Sequence, residues 1–324
     1  MKEIGGYLEL DTYSLPMLHD GAIALNSGRN CLAYLIKKKN IKKIWLPKFL
    51  CASVWDVCKK LKVEIHYYSI NMRFLPVLES TDDWVYLVNY YGQLSNSKIL
   101  ELQSLYPSLI VDNVQAYFQS PINGIDTIYT CRKFFGVTDG AFLYSNIDAI
   151  DLGIDESFER LHFVLGRFER SASEFYADFR EEEDKIGEWE ILKMSKLTNN
   201  LLHAIDYATV EKKRTDNFAY LHDKLSTINK LDLLVPNGAY MYPLYIDNGD
   251  VVRKKLQANK IFIPTLWPDV FEICSEDELE YDMARNILPI PIDQRYGIED
   301  MEYIVNKIVP LSFFRTTNKQ TTNN

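Results

Sequence analysis

Between about residues 25 and 145, short β-rich runs alternate with helical ones. Ile44-Trp45-Leu46 predicts a strand, and the helix after it begins near Ala52-Ser53, with Val54, Val57, Cys58 and Leu61 on one face. Residues 63–69 and the apolar run Trp84-Val85-Tyr86-Leu87-Val88 predict two further strands. A helical stretch over 97–105 precedes the strand Leu109-Ile110-Val111, and residues 127–130 predict another strand. Strands alternating with helices predict right-handed βαβ units, a mostly parallel sheet with helices on both faces. In such sheets ligands sit outside the carboxyl ends of strands.

Residues 155–185 read differently. Phe158, Leu161, Leu165, Phe168, Ala172, Phe175 and Phe179 recur at spacings of three and four, which predicts a single apolar stripe on one long helix. That helix either packs on its own domain or faces a partner. A second helical stretch covers 196–225. After Pro236-Asn237-Gly238 the pattern predicts a smaller α+β arrangement: a strand over 240–246, a helix over 250–259, a strand over 261–263 and a last helix over 300–309. The expected organisation is a large domain over 1–235, whose N-terminal segment is open to joining the smaller one, and a small domain over 236–314. The tail 315–324 has no apolar residue and is expected to be disordered.

Composition narrows the class. The 324 residues are 47% hydrophobic and 25% charged, as in ordinary globular proteins. A net charge of −9 argues against a nucleic-acid partner, because phosphates would be repelled. No apolar run approaches the roughly 18 residues of a membrane span, and Met1-Lys2-Glu3-Ile4-Gly5-Gly6 carries no signal-peptide core, so a cytoplasmic location is expected. Five scattered cysteines without a C-x-x-C pair read as reduced and mostly buried. The five histidines show no metal-ligand spacing, and no metal is expected. Without G-x-S-x-G, a P-loop or G-x-G-x-x-G, hydrolases, NTPases and dinucleotide enzymes lose support.

What remains lies at strand ends. Leu109-Ile110-Val111 delivers Asp112, with Gln115 three positions on, and the next strand runs through Thr130 into Cys131-Arg132-Lys133. A lysine there could form a Schiff base and an acid nearby could hold a protonated pyridine nitrogen; the same pair could also be a surface ion pair. Earlier, Ala24-Leu25-Asn26-Ser27-Gly28-Arg29-Asn30 precedes a helical run. Ser27 is a natural N-cap, and the free N–H groups of a helix start beside Arg29 suit a phosphate.

In this order, phosphate turn, acid, lysine, the chain resembles fold-type I pyridoxal-phosphate enzymes, and more narrowly the DegT/StrS-type sugar aminotransferases. The resemblance rests on Asn26-Ser27-Gly28-Arg29-Asn30, on Pro47-Lys48-Phe49-Leu50-Cys51-Ala52-Ser53, on Tyr90-Tyr91-Gly92-Gln93, and on Asp112-x-x-Gln115 with Thr130 and Lys133 downstream. It implies a large domain with a mostly parallel sheet, a small α+β C-terminal domain, and pyridoxal 5′-phosphate as cofactor. It implies Lys133 as the Schiff-base lysine, Asp112 on the pyridine nitrogen, Gln115 beside the ring oxygen, and Ser27, Gly28, Arg29, Asn30 and Thr130 around the phosphate. Phe49 or Cys51 would lie on the ring face, and Tyr91 and Arg295 would meet substrate. The activity implied is transfer of an amino group from an amino acid, L-glutamate foremost, to a nucleotide-linked keto-sugar of amino-sugar or surface-polysaccharide biosynthesis, by a homodimer. Two departures stand out: Asp139-Gly140-Ala141 replaces the usual Gly-Glu-Gly-Gly stretch, and Lys193-Met194-Ser195-Lys196-Leu197-Thr198 stands where an Asn-x-x-Arg segment belongs. A lyase, a dehydratase and a binding protein without turnover are the rival readings.

Overall fold

The computed structural model describes residues 4–148 and 152–312; the tail 315–324 lies outside them. In chain order the first elements are β1 (Ile23–Leu25), α1 (Gly28–Lys39), β2 (Lys43–Pro47), α2 (Ala52–Lys60), β3 (Glu64–Ile70), β4 (Pro76–Val77) and β5 (Trp84–Val88). There follow α3 (Asn96–Gln103), β6 (Leu109–Asp112), β7 (Asp126–Thr130), β8 (Ala141–Tyr144), α4 (His162–Glu169), α5 (Tyr176–Lys185), α6 (Lys196–Leu202) and α7 (Tyr207–Leu225). The chain closes with β9 (Met241–Tyr245), α8 (Gly249–Ala258), α9 (Val270–Ile273), α10 (Leu279–Asn286), β10 (Ile287–Pro291) and α11 (Ile298–Ser312).

Eight strands form one sheet in the order β1-β8-β7-β6-β5-β2-β3-β4. The five strands β3, β2, β5, β6 and β7 run parallel, and the pairs β7–β8, β8–β1 and β3–β4 are antiparallel. The fold is thus mixed α/β around a mostly parallel sheet. Every residue of β6 and β7 is buried, as expected of central parallel strands covered on both faces. The chain order reverses between β2 and β5, so the carboxyl ends of these strands flank the crevice where such folds bind ligands. Helix starts follow local chemistry: Ser27, Ser95, Ser195 and Asp206 each accept a backbone N–H three residues on. Asn40, left-handed at φ 52°, ends α1.

Strands β9 and β10 form a separate antiparallel pair, with Pro243 opposite Pro289. Proline is tolerated there because each strand has an unpaired side. Helix α11 packs on α7 and α8, and α10 reaches β3. Near the N-terminus, Asp11, Tyr13 and Leu15 hydrogen-bond to Asn200 and His203, at the end of α6.

Three expectations are corrected. The single helix over 155–185 is a hairpin: α4 ends at Arg170 and α5 starts after Phe175, so the phenylalanines meet across the turn instead of lining one face. The Phe163 and Phe179 ring centroids are 5.6 Å apart, and Gly166 makes room for the Phe175 ring, against which a Cβ would collide. The stretch 196–225 is interrupted between α6 and α7, where Asp206 caps the second helix. Residues 261–263 join no ladder; Ile261 and Ile263 are core residues of an irregular segment. Among the described residues no helix is long and apolar enough to cross a membrane.

Candidate active site

Strand β6 ends in Asp112, whose carboxylate is buried. Its Oδ2 accepts a hydrogen bond from the Tyr86 hydroxyl at 2.8 Å and its Oδ1 one from the Val114 N–H at 2.9 Å. Tyr86 comes from the neighbouring strand β5, so the sheet itself aims this donor. Burial pushes the Asp112 carboxyl above its ordinary range, while the charge of Lys133 and the two hydrogen bonds hold it back.

Lys133 follows β7 by three residues. Burial pushes its amine below the ordinary lysine range; Asp112 and Cys51 oppose that shift, whereas Arg132 and Arg29 add to it. The amine makes no hydrogen bond or ion pair with any described residue. It lies over the face of Tyr240, with Nζ 5.7 Å from the ring centroid. A buried lysine whose charged form is disfavoured, and whose amine has no hydrogen-bond partner among the described residues, is suited to act as a nucleophile. Asp112 and Lys133 are therefore brought together as a coupled pair, which the strand-end spacing predicts.

The cationic side of the site is built from Arg29, Arg132 and Lys133. Burial and the proximity of Arg29 lower the Arg132 guanidinium to about 10. Arg132 pairs with Glu183 through one nitrogen, and its buried Nε has no partner. At the start of α1 the Ser27 hydroxyl accepts the Asn30 N–H at 3.2 Å, leaving the first two helical N–H groups, of Gly28 and Arg29, without intrahelical partners. Thr130, buried at the end of β7, makes no side-chain hydrogen bond to a described residue.

Not every expected residue points this way. The Asn30 side chain is turned aside: its amide donates to Asn26 Oδ1 at 2.8 Å and to the Glu190 carbonyl at 2.7 Å. Phe49 belongs to the core, 4.5 Å from Trp267 and 5.5 Å from Tyr90 between ring centroids; Cys51, the alternative, is near enough for its thiol to act on the Lys133 amine. Gln115 uses its carbonyl oxygen to hold the Tyr91 N–H at 2.8 Å. That contact steadies a turn in which Tyr91 is itself left-handed at φ 53°. Arg295 forms a fork with Asp293, at 2.6 and 2.8 Å, so its charge is already matched.

The lysine loop closes on Asp139, which accepts the Ser195 N–H and hydroxyl, each at 2.8 Å, and the Thr198 hydroxyl. This links the two departures noted in the sequence, the Asp139-Gly140 pair and the 193–198 segment, into one buried cluster. Tyr86 and Tyr240 were not expected at the site. Tyr86 looks in sequence like any strand aromatic, and nothing near Tyr240 advertises it. Arg132, next to the lysine in sequence, was likewise not expected to take part. Elsewhere Cys274, Glu278 and Glu280 come within 4.8 Å of one another, but Lys48 pairs with Glu278, and Glu280 accepts the Ile70 N–H.

Solved structures share this architecture over nearly the whole chain. One from S. venezuelae, DesV in complex with a ketimine intermediate, is 14% identical, covers 93% of this chain and 91% of its own, and superposes with a TM-score of 0.64. The fold is that of the sugar aminotransferases. A DegT DnrJ EryC1 StrS aminotransferase from Brucella abortus superposes with a TM-score of 0.61 at 12% identity, covering 90% of this chain and 86% of its own. The PLP form of the putative sugar aminotransferase Spr1654 from Streptococcus pneumoniae does so at 0.60 and 12%, covering 91% and 88%. At these identities the likeness is one of fold. No family model matches the chain, and no curated protein matches it in sequence.

Proposed function

We propose that this protein is a pyridoxal-phosphate-dependent aminotransferase that moves an amino group from an amino acid, L-glutamate foremost, to the keto group of a sugar. The observation that carries this reading is the coupled Asp112–Lys133 pair on adjacent strand ends, in a fold shared with sugar aminotransferases. The residues present fit the cofactor. The unpartnered Arg132 Nε, the free N–H groups of Gly28 and Arg29, and the Thr130 hydroxyl form an anion-binding side, and Asp112 lies buried opposite an unpaired lysine.

When bound, the cofactor supplies a conjugated ring that takes up the electron pair released at an adjacent carbon. Arg29, Arg132, Thr130 and the start of α1 would hold its phosphate, because helix N-termini and guanidinium groups favour anions. Asp112 would hold a proton against the ring nitrogen, and Tyr86 would keep that carboxylate oriented. Gln115, pinned through its oxygen by Tyr91, keeps its amide N–H groups available to the ring oxygen. Lys133 would hold the cofactor through Nζ and, as a base or acid at that atom, would move a proton. Cys51 would border the ring.

The substrate reading extends to a nucleotide-linked keto-sugar in amino-sugar or surface-polysaccharide biosynthesis, handled by a homodimer. Exposed apolar residues on the α4–α5 hairpin, with Phe168 90% exposed, support a partner-facing surface. Residues 1–235 are taken as the cofactor-bearing unit and 236–314 as the smaller one.

The test is the absorbance spectrum of the purified protein with pyridoxal phosphate, before and after L-glutamate, beside Lys133→Ala. A visible band that needs Lys133 and is bleached by the amino acid, with release of the keto acid, is expected. A band indifferent to every amino acid would turn the reading toward a lyase or dehydratase. Absence of a band would refute the site.

A further inference from the structure

We infer that Arg214 and Tyr240 are positioning residues for Lys133: the buried guanidinium of Arg214 clamps the lysine loop to the turn that carries Tyr240, so that the Tyr240 ring covers the Lys133 amine. Arg214, on α7, is 1% exposed. Its donors reach three separate segments: the Phe134 carbonyl at 3.3 Å, the Ala239 and Tyr240 carbonyls at 3.1 and 3.3 Å, and Gln294 Oε1 at 2.9 Å. Gln294 returns a bond to the same Phe134 carbonyl at 2.7 Å. Phe134 directly follows Lys133, and its ring touches both positioning groups, 4.6 Å from the Arg214 guanidinium and tilted at 5.8 Å from the Tyr240 ring. The next residue of α7, Thr215, holds the turn as well, through the Gly238 N–H at 2.9 Å. The lysine loop and the Tyr240 turn are thereby set in one register.

That register matters because it sets the Tyr240 ring face toward the amine. The charged groups facing it are Asp112 from β6 and Arg29 from α1, with Arg132 on its own loop and the Cys51 thiol at the start of α2. A ring face attracts the protonated form. Arginine is the residue for this clamp because its planar fork spans several carbonyls at once, which a lysine ammonium cannot do.

The inference rests on Lys133 being the amine of the site, and its test needs no cofactor. In cofactor-free, full-length protein, trace acetylation of Lys133 by acetic anhydride is followed by peptide mass spectrometry across pH, giving the midpoint at which the amine becomes reactive. Tyr240→Leu should move that midpoint toward acid by about half a pH unit, while Tyr240→Phe, which keeps the ring, should leave it in place. Arg214→Lys should shift it in the same direction. Should that variant not fold, Gln294→Ala, which removes one bond to Phe134 and one of the acceptors of Arg214 while leaving its carbonyl partners in place, should give a smaller shift. An unmoved midpoint in Tyr240→Leu, an equal shift in Tyr240→Phe, or a wild-type midpoint in the folded clamp variant would overturn the inference. A shifted midpoint in a protein that never takes up pyridoxal phosphate would support the positioning role and defeat the aminotransferase reading; normal uptake with an unmoved midpoint would do the reverse.

Discussion

Replacing Tyr86 by phenylalanine removes one of the two donors to Asp112 and leaves the ring in place. A hydrogen bond to a charged acceptor contributes about 1.5–3 kcal/mol against ~1 kcal/mol for a neutral one, and at 1.36 kcal/mol per pKa unit the loss of that difference should raise the Asp112 carboxyl by roughly half to one and a half units. That rise adds to the one burial already imposes. The sign follows. A carboxyl whose folded pKa lies above its unfolded value binds more protons folded than unfolded, so stability falls as pH rises through that window. At neutral pH the variant should be less stable by about 1.5–3 kcal/mol; toward acid, where Asp112 is protonated in both proteins, the deficit should shrink to the ~1 kcal/mol of a neutral bond. Urea unfolding across a pH series, with Asp112→Asn and the double variant completing the cycle, measures this directly. A deficit that is the same at both ends of the series, or undiminished in the Asp112→Asn background, would refute the assigned role of Tyr86.

Three further perturbations test the frame of the site. Gly140→Ala places a Cβ at φ +105°, 3.0 Å from Thr198 Cγ2 and 3.1 Å from Met194 Cε, and should cost about 2–4 kcal/mol in denaturant unfolding. Lys39→Ala strips Asp126, 4% exposed, of its 2.5 Å ion pair and leaves the Ser145 hydroxyl as its side-chain partner, so a loss of about 3–5 kcal/mol is expected by the same measurement. Burial lowers the His19 imidazole to about 4, against a partial offset from the Tyr117 carbonyl, so the unfolded chain binds its proton more readily. Stability should rise with pH between about 4 and 6.5, and His19→Phe should flatten that slope in a pH series of thermal melts.

Asp112 and Lys133 are legible because each follows an apolar strand run, and the α/β rule says that strand ends carry ligands. The same logic reads β2, β3, β5, β6 and β7 from their apolar runs. Strands β1 and β8 escape it, since strands of three and four residues leave too short a pattern. The hairpin of α4 and α5 keeps helical spacing on both arms, and only the Gly166–Phe175 contact reveals the fold-back. Asn30 looks like a phosphate ligand from its neighbours, yet its amide is claimed by Glu190, 160 positions away. Tyr240 and Arg214 reach the site through tertiary packing alone, and no local spacing encodes such a meeting.

The strand order also has a consequence in time. Strands β2 and β3 are neighbours in chain and sheet and can pair as soon as α2 has formed, and β5, β6, β7 and β8 add outward one after another in the order of synthesis. Strand β1 is the exception: emerging first, it pairs only with β8, Leu25 opposite Ala141. Closing so long a loop makes this edge the slowest step of sheet assembly by contact order. The turn after β1 carries Gly28 and Arg29, so the start of α1, the proposed anion site, takes its final place only when the far edge of the sheet is complete. On the proposed reading, a nascent chain would thus acquire its acid and lysine before its phosphate grip, and cofactor capture would report that β1 had joined the sheet.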